Sequence, residues 1–235
     1  MKNIGVNIIG KTIGEAWLEL VKNILNYGEV SYDENRKRLA LENVRLSSFT
    51  NNYKDKIFDK YANKKNIEDM VSLFFYKDKM FDIDVRPSFT VNAKSYYWRL
   101  KNGKLIEFVI KRLSLIPESK KAVIVFPIWK DYKQVLKNHR NDYLPCIVSI
   151  QFRLHKKKNY YLLNTTFYAR SIDAFQKAPG NLVSISMLSY KVSGKLSKKL
   201  KSKIKIGFLD GLIADAHIYQ ECINDAKNLI KSING

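Results

Sequence analysis

The chain has 235 residues, and 42 Lys and Arg against 22 Asp and Glu give it a formal net charge of +20 at pH 7. Hydrophobic residues at 46% and charged residues at 27% exclude a disordered basic tail and predict one globular domain over residues 1–235. No apolar stretch approaches the roughly 20 residues of a membrane span, no secretory signal is recognisable, and two cysteines cannot form a disulfide framework. We therefore expect a metal-free, cytoplasmic protein.

The positive charge comes mainly from lysine, with 33 Lys against 9 Arg. Many of these lysines lie in two runs, at 156–158 and between 195 and 205. Positive charge attracts polyanions, but proteins that recognise bases rely on arginine for bidentate contacts. Lysine runs are more often solvated, so we favour a solvated surface over a nucleic-acid interface. A small anionic substrate would also be attracted to such a protein.

The N-terminal part of the chain is predicted to contain a helix and a strand. Trp17 and Val21 begin an apolar pattern with helical spacing, which predicts an amphipathic helix over residues 13–27, ended by the glycine that follows. The turn signal Asp33-Glu34-Asn35 precedes a predicted strand over residues 39–48.

Two helices and a strand are predicted in the middle of the chain. The helices span residues 66–76 and 104–115, and the second should bury Phe108 and Leu113 before a proline ends it. Residues 122–128 are almost all apolar and predict a buried strand.

The C-terminal half is predicted to combine a hairpin, two helices and an exposed ribbon. Strands over residues 146–154 and 161–169 flank a lysine-rich turn, which is typical of a β-hairpin. A buried helix is expected over 181–193 and a final helix over 219–233. Alternating lysines between 195 and 205 predict an exposed strand or ribbon at a sheet edge. Strands and helices mix without regular βαβ alternation, so the predicted fold class is α+β.

Cys146 is a candidate nucleophile. It follows a proline and directly precedes a predicted strand, so its thiol would be held in a defined position. A positioned thiolate suits covalent catalysis. The alternative is a small core side chain, since free cysteine is among the most buried residue types.

Two further segments place polar groups beside apolar sequence. In Arg170-Ser171-Ile172-Asp173, a strand is expected to lead into a short helix, where arginine and serine could hold a phosphate. A helix cap with a surface ion pair is the alternative. In Asp215-Ala216-His217-Ile218-Tyr219, the histidine and tyrosine alternate along an extended chain and point to one face. They could bind a sugar hydroxyl or belong to the core.

The order of these segments is more specific than any one of them. The matching motifs are Pro145-Cys146, Gln151-Phe152, Arg170-Ser171-Ile172-Asp173, Pro179-Gly180-Asn181 and Asp215-Ala216-His217-Ile218-Tyr219. This arrangement resembles the thymidylate synthase and pyrimidine nucleotide hydroxymethylase family, and the match is most specific over residues 117–220. Upstream of residue 117, the sequence resembles the shorter, archaeal-like members of that family. The resemblance implies a thymidylate synthase-like mixed sheet with surrounding helices and a homodimer formed through the sheet face.

The resemblance also implies a reaction. Cys146 would add to C6 of a uracil ring and make C5 a nucleophile toward the one-carbon unit of 5,10-methylenetetrahydrofolate or a related tetrahydropterin. Tyr96 would assist removal of the C5 proton, and Asp173 would organise the site. Glu68 is the candidate for the family's catalytic glutamate.

The same resemblance assigns the substrate contacts. Arg170 and Ser171 would hold the 5′-phosphate, and the arginine would favour the thiolate form of the nucleophile. Asn181 would face the pyrimidine edge, where it favours uracil over cytosine. His217 and Tyr219 would bind the ribose 3′-hydroxyl.

Three residues are implied to act from further away. Gln151 would support the region of the nucleophile. Lys120 and Lys121 stand where the family has paired arginines that reach the partner subunit's phosphate, so the charge is kept and the bidentate geometry is lost.

Three functions stay open at this point. Conversion of dUMP to dTMP is the simplest. The chain stops about a turn or more of helix after Tyr219, before the tail that closes over folate in longer synthases, so hydroxymethylation by water attack on the exocyclic methylene is the closest alternative. A non-catalytic nucleotide- or nucleic-acid-binding relative is the third, and it leaves Cys146 without a purpose.

Overall fold

The computed structural model describes residues 5–86, 93–137 and 143–234. Numbered in chain order, the strands β1 to β8 are Val6–Gly10, Glu29–Asp33, Arg36–Ser48, Val123–Val125, Ile147–Lys156, Tyr161–Ala169, Ile172–Asp173 and Ile204–Tyr219. The helices α1 to α8 are Ile13–Tyr27, Lys56–Tyr61, Lys64–Phe75, Tyr96–Asn102, Leu105–Leu115, Trp129–Lys137, Ala178–Leu200 and Ile223–Asn234. A 3₁₀ helix at Gln220–Cys222 links β8 to α8.

Within the described residues, the strands form one mixed sheet in the order β1-β3-β8-β6-β5-β4. β2 pairs with β3 as a hairpin, and β7 pairs with the end of β8. β6 and β8 run parallel, whereas β5 runs antiparallel to β6. The carboxyl ends of β6 and β8 therefore meet the start of β5. We call this the cavity end of the sheet.

Helices α1 and α7 pack against the sheet and bury most of the core. α1 starts after Thr12, whose hydroxyl oxygen accepts a hydrogen bond from the Glu15 N–H at 3.2 Å, and it buries Trp17 fully. α7 is buried on nearly all sides over its first half because α3 and α5 cover it. A Cβ at Gly180 would lie 2.5 Å from the Met70 Cβ, so the close approach of α3 requires glycine.

The α+β fold class is confirmed, as are α1 and the β5–β6 hairpin. The helices predicted over 66–76 and 104–115 correspond to α3 and α5 with small shifts of their ends. The strand predicted over 39–48 is the longer β3, which starts directly after the predicted turn. Glu34 and Asn35 form that turn with φ of 45° and 71°, as a two-residue hairpin turn requires.

The predicted exposed ribbon at a sheet edge is wrong. Lys199 lies in the last turn of α7, Lys201 ends this helix with a φ of 48°, and β8 begins only at Ile204. β8 then runs through the middle of the sheet between β3 and β6. A helix end followed by a strand start produced the alternation of lysine with apolar residues.

The two lysine runs meet at the opposite end of the sheet, which we call the lysine end. It comprises Lys156, Lys157, Lys158, Lys195, Lys198, Lys199, Lys201, Lys203 and Lys205, all of them exposed. The Tyr161 N–H donates to the Lys203 carbonyl at 2.9 Å, and the Lys205 ammonium lies 4.3 Å from the Tyr160 ring centroid. The ten residues of β5 separate the two ends by about 30 Å at roughly 3.3 Å per residue.

Two expectations in the middle of the chain are also corrected. The strand predicted over 122–128 is reduced to the three residues of β4, because Pro127 lacks a donor and α6 begins at Trp129. Phe108 is 47% exposed, whereas Val109 and Leu113 are buried. The pattern predicts Val109 and Leu113 correctly, but Ile110 rather than Phe108 joins them on the buried face of α5.

Towards the C-terminus, three element boundaries differ from the predictions. α7 spans 23 residues rather than 181–193, with Pro179 in its first turn, where a missing N–H costs nothing. Tyr219 ends β8 rather than starting the last helix, and α8 starts at Ile223. No short helix follows Asp173: the two-residue strand β7 leads through a turn into α7.

Candidate active site

A cavity of about 470 Å³ opens at the cavity end of the sheet. Six of the predicted site residues line it, namely Cys146, Arg170, Ser171, Asp173, His217 and Tyr219. The strand directions explain this convergence, since the cysteine precedes β5 and the others follow β6 or end β8. The volume lies within the range of about 300–1,000 Å³ that is typical of small-molecule sites.

The backbone around Cys146 is held on both sides. The Arg170 N–H donates to the Cys146 carbonyl at 2.9 Å, and the Ile147 N–H donates to the Tyr96 hydroxyl oxygen at 3.0 Å. A register shift in the β5–β6 ladder falls directly after Ile147. The thiol is unpaired and half-buried. It is therefore a positioned sulfur with access to the cavity, as a nucleophile requires.

Arg170 lies beside the nucleophile. Its Nη2 donates to the Leu144 carbonyl at 2.7 Å, so the side chain is tethered to the loop that leads into Cys146. Burial, the largest single influence, opposes its charge, but the nearby Cys146, Tyr96 and Tyr143 outweigh burial and raise the pKa of Arg170. The cavity thus contains a permanent guanidinium, the group best suited to a phosphate.

His217 is oriented by a chain of polar groups. Its Nδ1 lies 2.8 Å from Asp215 Oδ1 and 3.4 Å from Ser171 Oγ. Arg38 holds the same carboxylate with two bonds of 2.7 Å. Burial alone would raise the pKa of Asp215, but His217 and Arg38 together hold it below its usual value. An ionised carboxylate only accepts, so Nδ1 of the ring carries a proton.

Tyr219 is fixed next to His217, with 4.8 Å between the ring centroids. Its hydroxyl donates to Asp33 Oδ2 at 2.7 Å, and the Arg36 guanidinium lies 3.5 Å from the ring centroid. Burial and the Asp33 carboxylate raise the pKa of Tyr219, so the hydroxyl stays protonated. The two residues share one face of β8, as the sequence predicts.

Asp173 organises the turn before α7. Its Oδ1 accepts from the N–H groups of Phe175 and Gln176, both at 2.9 Å, and its Oδ2 accepts from Gln176 Nε2 at 2.7 Å. The Ala174 carbonyl in the same turn accepts from the Trp17 indole at 2.7 Å. The carboxylate thus holds the start of α7 at the cavity wall.

A second, smaller cavity of about 30 Å³ adjoins the first. Cys146, Tyr143 and Lys177 line both cavities, and Tyr96 and Asn181 line the smaller one. Asn181 is 2% exposed, and its Oδ1 has no hydrogen-bond partner among the described residues. An unpaired buried acceptor is costly, and this one is available to a ligand that carries a hydrogen-bond donor.

Tyr96 is fully enclosed beside the nucleophile. Burial and the neighbouring Cys146 raise its pKa, and it shares a hydrogen bond with Tyr143. The hydroxyl is therefore neutral at ordinary pH and acts as a hydrogen-bonding group rather than as a phenolate.

Four predicted residues lie outside both cavities. Glu68 is exposed on α3, and Met70, two residues further on, lines the smaller cavity instead. The structure therefore does not place Glu68 where a catalytic glutamate would act. Gln151 donates to the Lys120 carbonyl at 2.8 Å, which ties it to the turn of Lys120 and Lys121 rather than to Cys146. Both lysines are exposed.

The structure adds residues that the sequence analysis missed. Lys177 lies between the cavities, 2.8 Å from Asp84 Oδ1 and 3.2 Å from Asp82 Oδ1. Tyr143 and the β2–β3 turn with Asp33 also line the larger cavity. A lysine directly before Ala178-Pro179 has no distinctive local pattern, so only its place next to the motif at 170–173 could have suggested it.

Neither a metal site nor a membrane span is found within the described ranges. No group of three or more His, Cys, Asp or Glu side chains there is arranged to hold a metal ion. No helix in those ranges has the length and apolarity that crossing a bilayer requires.

Comparison with known proteins identifies the family of the chain. The sequence model of the thymidylate synthase family matches residues 47–234. The chain therefore belongs to the thymidylate synthase family. A candidate thymidylate synthase from Methanosarcina acetivorans is 25% identical over 232 residues, 98% of this chain and 97% of that protein. One from Methanosarcina barkeri is 26% identical over 236 residues, again 98% and 97% of the two chains. A thymidylate synthase from Buchnera aphidicola is 29% identical over 136 residues, 57% of this chain and 46% of its own.

Proposed function

We propose that the protein is an enzyme that transfers a one-carbon unit to C5 of a uracil nucleotide, converting dUMP to dTMP in the simplest case. The observation that carries this proposal is the position of Cys146, at the boundary between the two cavities. Arg170 lies on one side, and Asn181, with its unpaired acceptor, lies on the other. A nucleotide that spans the boundary would bring its phosphate to the arginine and its base to the amide.

The chemistry follows from that placement. The Cys146 thiolate would add to C6, and C5 would then attack the one-carbon unit. Arg170 and Ser171 would bind the phosphate, and His217 and Tyr219 would bind the ribose. Proton removal from C5 needs a base, and the raised pKa of Tyr96 suits a neutral phenol that positions a water for this step.

We propose a reduced pterin as the carrier, because the segment 80–84 suits one. Phe81 and Ile83 line the smaller cavity, and the Asp82 and Asp84 carboxylates belong to the same segment. A pterin ring has flat apolar faces, which apolar side chains can contact. The two carboxylates are 4% and 1% exposed and bind Lys177, so they hold this segment in place rather than contact the ring. When bound, the carrier supplies the one-carbon unit and, for methylation, the hydride.

Hydroxymethylation is the second candidate outcome. The larger cavity is lined by many charged side chains, including Asp33, Glu34 and Arg86. A charged lining holds water, and methylation needs a dry site because water competes for the exocyclic methylene. The site itself could therefore yield the 5-hydroxymethyl nucleotide.

The deciding experiment combines tritium release with product mass. Purified protein is incubated with [5-³H]dUMP and methylenetetrahydrofolate, and in parallel with a methanopterin-type carrier. We expect tritium in the solvent, and the product mass separates dTMP from its hydroxymethyl analogue. No release and no new product with either carrier would refute the proposed function.

We also propose a homodimer formed through the outer face of the sheet. Leu209 and Ile213 of β8 are buried, whereas Phe208 and Leu212, each directly before one of them, are 40% and 43% exposed. Tyr168 of β6 lies opposite Leu212 and is 37% exposed. An apolar sheet face of this kind is typical of a protein interface. Sedimentation equilibrium should give a dimer, and Leu212→Glu should shift it towards monomer.

A further inference from the structure

Lys177 occupies the boundary between the two cavities. Among the described residues only Tyr143, Cys146 and Lys177 line both, and Lys177 is the cation of this group. Its side chain is 15% exposed and is paired with Asp84 and Asp82. Two carboxylates therefore hold a buried ammonium in one position beside the sulfur.

The charge of this ammonium is permanent. Burial opposes it most strongly, but Asp84, Asp82 and Cys146 together raise the pKa of Lys177. The start of α7 adds a partial positive charge at the same place, since Lys177 directly precedes this helix of 23 residues. A charged donor thus stands next to the thiol, and the two carboxylates balance its charge.

Lys177 also lies beside the unpaired acceptor of Asn181. The two residues are four positions apart, and the Asn181 N–H donates to the Lys177 carbonyl at 3.0 Å, so both lie on one face of the chain as α7 begins. Both residues also line the smaller cavity, so an acceptor and a charged donor border the same space, a pattern that complements the N3–H and the adjacent C4 oxygen of uracil.

We infer that Lys177 is a further substrate-binding and catalytic residue, which donates a hydrogen bond to the C4 oxygen of the uracil ring and stabilises the charge formed there when Cys146 adds to C6. This inference rests on the proposed function. In the step, a bond forms between sulfur and C6, the C5–C6 π pair moves to C4–C5, and the carbonyl π pair moves to the C4 oxygen. No proton leaves the lysine. When C5 bonds to the one-carbon unit or to a proton, the electron pair on the C4 oxygen re-forms the carbonyl, and the C4–C5 π pair forms the new bond at C5.

The same contact would make Lys177 a specificity-determining residue. Cytosine has an amino group at C4, and its N–H donors would face the donors of the ammonium. Uracil and cytosine share the C2 oxygen, so a lysine that contacted C2 would not distinguish the two bases. The preference for uracil over cytosine is therefore a useful readout, because replacing a lysine with only a structural role would not change it.

The test compares Lys177→Met, Lys177→Gln and Lys177→Arg with the wild type, using dUMP and dCMP. We expect kcat for dUMP to fall about 10²–10³-fold in Lys177→Met, as on loss of one oxyanion donor, and less in Lys177→Arg, which keeps the charge. The preference for dUMP over dCMP in binding should narrow in Lys177→Met. Lys101→Met is the matched control, because Lys101 forms an exposed pair with Asp78 at 4.0 Å outside both cavities.

Lys177→Met leaves two aspartates uncompensated, so thermal unfolding accompanies each assay. If this variant does not fold, Lys177→Gln and the triple variant Asp82→Asn, Asp84→Asn, Lys177→Met, which removes all three charges, take its place. Folded variants with wild-type kcat and base preference would overturn the inference and leave the proposed function intact. A wild-type protein that neither binds dUMP nor releases tritium would overturn both.

Discussion

The cavity end and the lysine end of the sheet are both rich in charge, but they hold it differently. At the cavity end, buried or half-buried cations have acidic partners: Arg38 pairs with Asp215, Arg36 with Glu221 and Lys177 with Asp84. At the lysine end, no lysine in the described ranges forms an ion pair, and all are exposed. Burial of a charge requires a partner, whereas an exposed ammonium is satisfied by water. Paired and buried charge therefore distinguishes the cavity end, where the exposed Arg170, bonded to the Leu144 carbonyl, is the exception. Net charge alone does not distinguish the two ends.

The largest effect should come from Cys146→Ala, which removes the proposed nucleophile while leaving the phosphate and base contacts in place. We expect complete loss of tritium release from [5-³H]dUMP with retained nucleotide binding. Cys222→Ala is the control, because Cys222 is 2% exposed and burial raises its pKa to about 12. Residual turnover by Cys146→Ala would show that the cavity end works by another mechanism.

Asn181→Asp should shift the base preference from uracil towards cytosine. The carboxylate offers a second acceptor in place of an N–H donor, so the C4 amino group of cytosine gains a partner. We expect kcat/KM for dUMP to fall by about 10²-fold and the relative value for dCMP to rise, measured by C5 exchange with each nucleotide. Asn23→Asp on α1 is the control, because its amide bonds locally, to the Glu19 carbonyl at 2.8 Å, and it lies outside both cavities. An unchanged ratio would remove Asn181 from base recognition.

Asp215→Asn should break a charge pair at the cavity end. We expect the free energy of unfolding to fall by about 2 kcal/mol at pH 7, less than the roughly 3–5 kcal/mol of a fully buried pair, because Asp215 is 26% exposed. Urea denaturation measures this loss. The double variant Arg38→Met, Asp215→Asn should recover part of the lost unfolding free energy. If it does not, Arg38 is not the partner that accounts for the stabilising effect of Asp215.

The pH dependence of that loss follows from the lowered pKa of Asp215. A carboxylate with a lower pKa in the folded state stabilises the protein above its ordinary pKa and loses this effect as pH falls through the folded value. The difference between the wild type and Asp215→Asn should be constant above about pH 5 and shrink below about pH 4. A difference that grows in acid would contradict the assigned direction.

The smallest effect is expected at the lysine end. Replacing Lys157, Lys158, Lys198, Lys199 and Lys203 by Gln should change the unfolding free energy by less than about 0.5 kcal/mol each. It should leave kcat/KM for dUMP within about twofold in 0.15 M salt, where charges are screened over about 8 Å. Tight retention of RNA or DNA at about 0.2 M salt, lost in this variant, would instead identify the lysine end as a nucleic-acid interface.

Sequence patterns predicted the helices and strands whose formation depends on residues close together along the chain. Helical spacing was sufficient for α1, and alternating apolar strands around a polar turn were sufficient for the β5–β6 hairpin. The alternating lysines misled because a helix end and a strand start share the same local pattern there. Which residue of α3 faces the cavity depends on how that helix rotates against α7, so spacing could not separate Glu68 from Met70.

From its sequence alone, the protein was recognisable as an α+β chain with a thiol, an arginine–serine pair and a histidine–tyrosine pair in an order that resembles thymidylate synthases. Only the tertiary structure decided which charges have partners. Arg38 and Asp215 are 177 residues apart and share two hydrogen bonds of 2.7 Å, and Lys177 pairs with Asp84, which lies 93 residues earlier in the chain. Electrostatic energy depends on distance and burial in space, and neither can be read from positions along a chain.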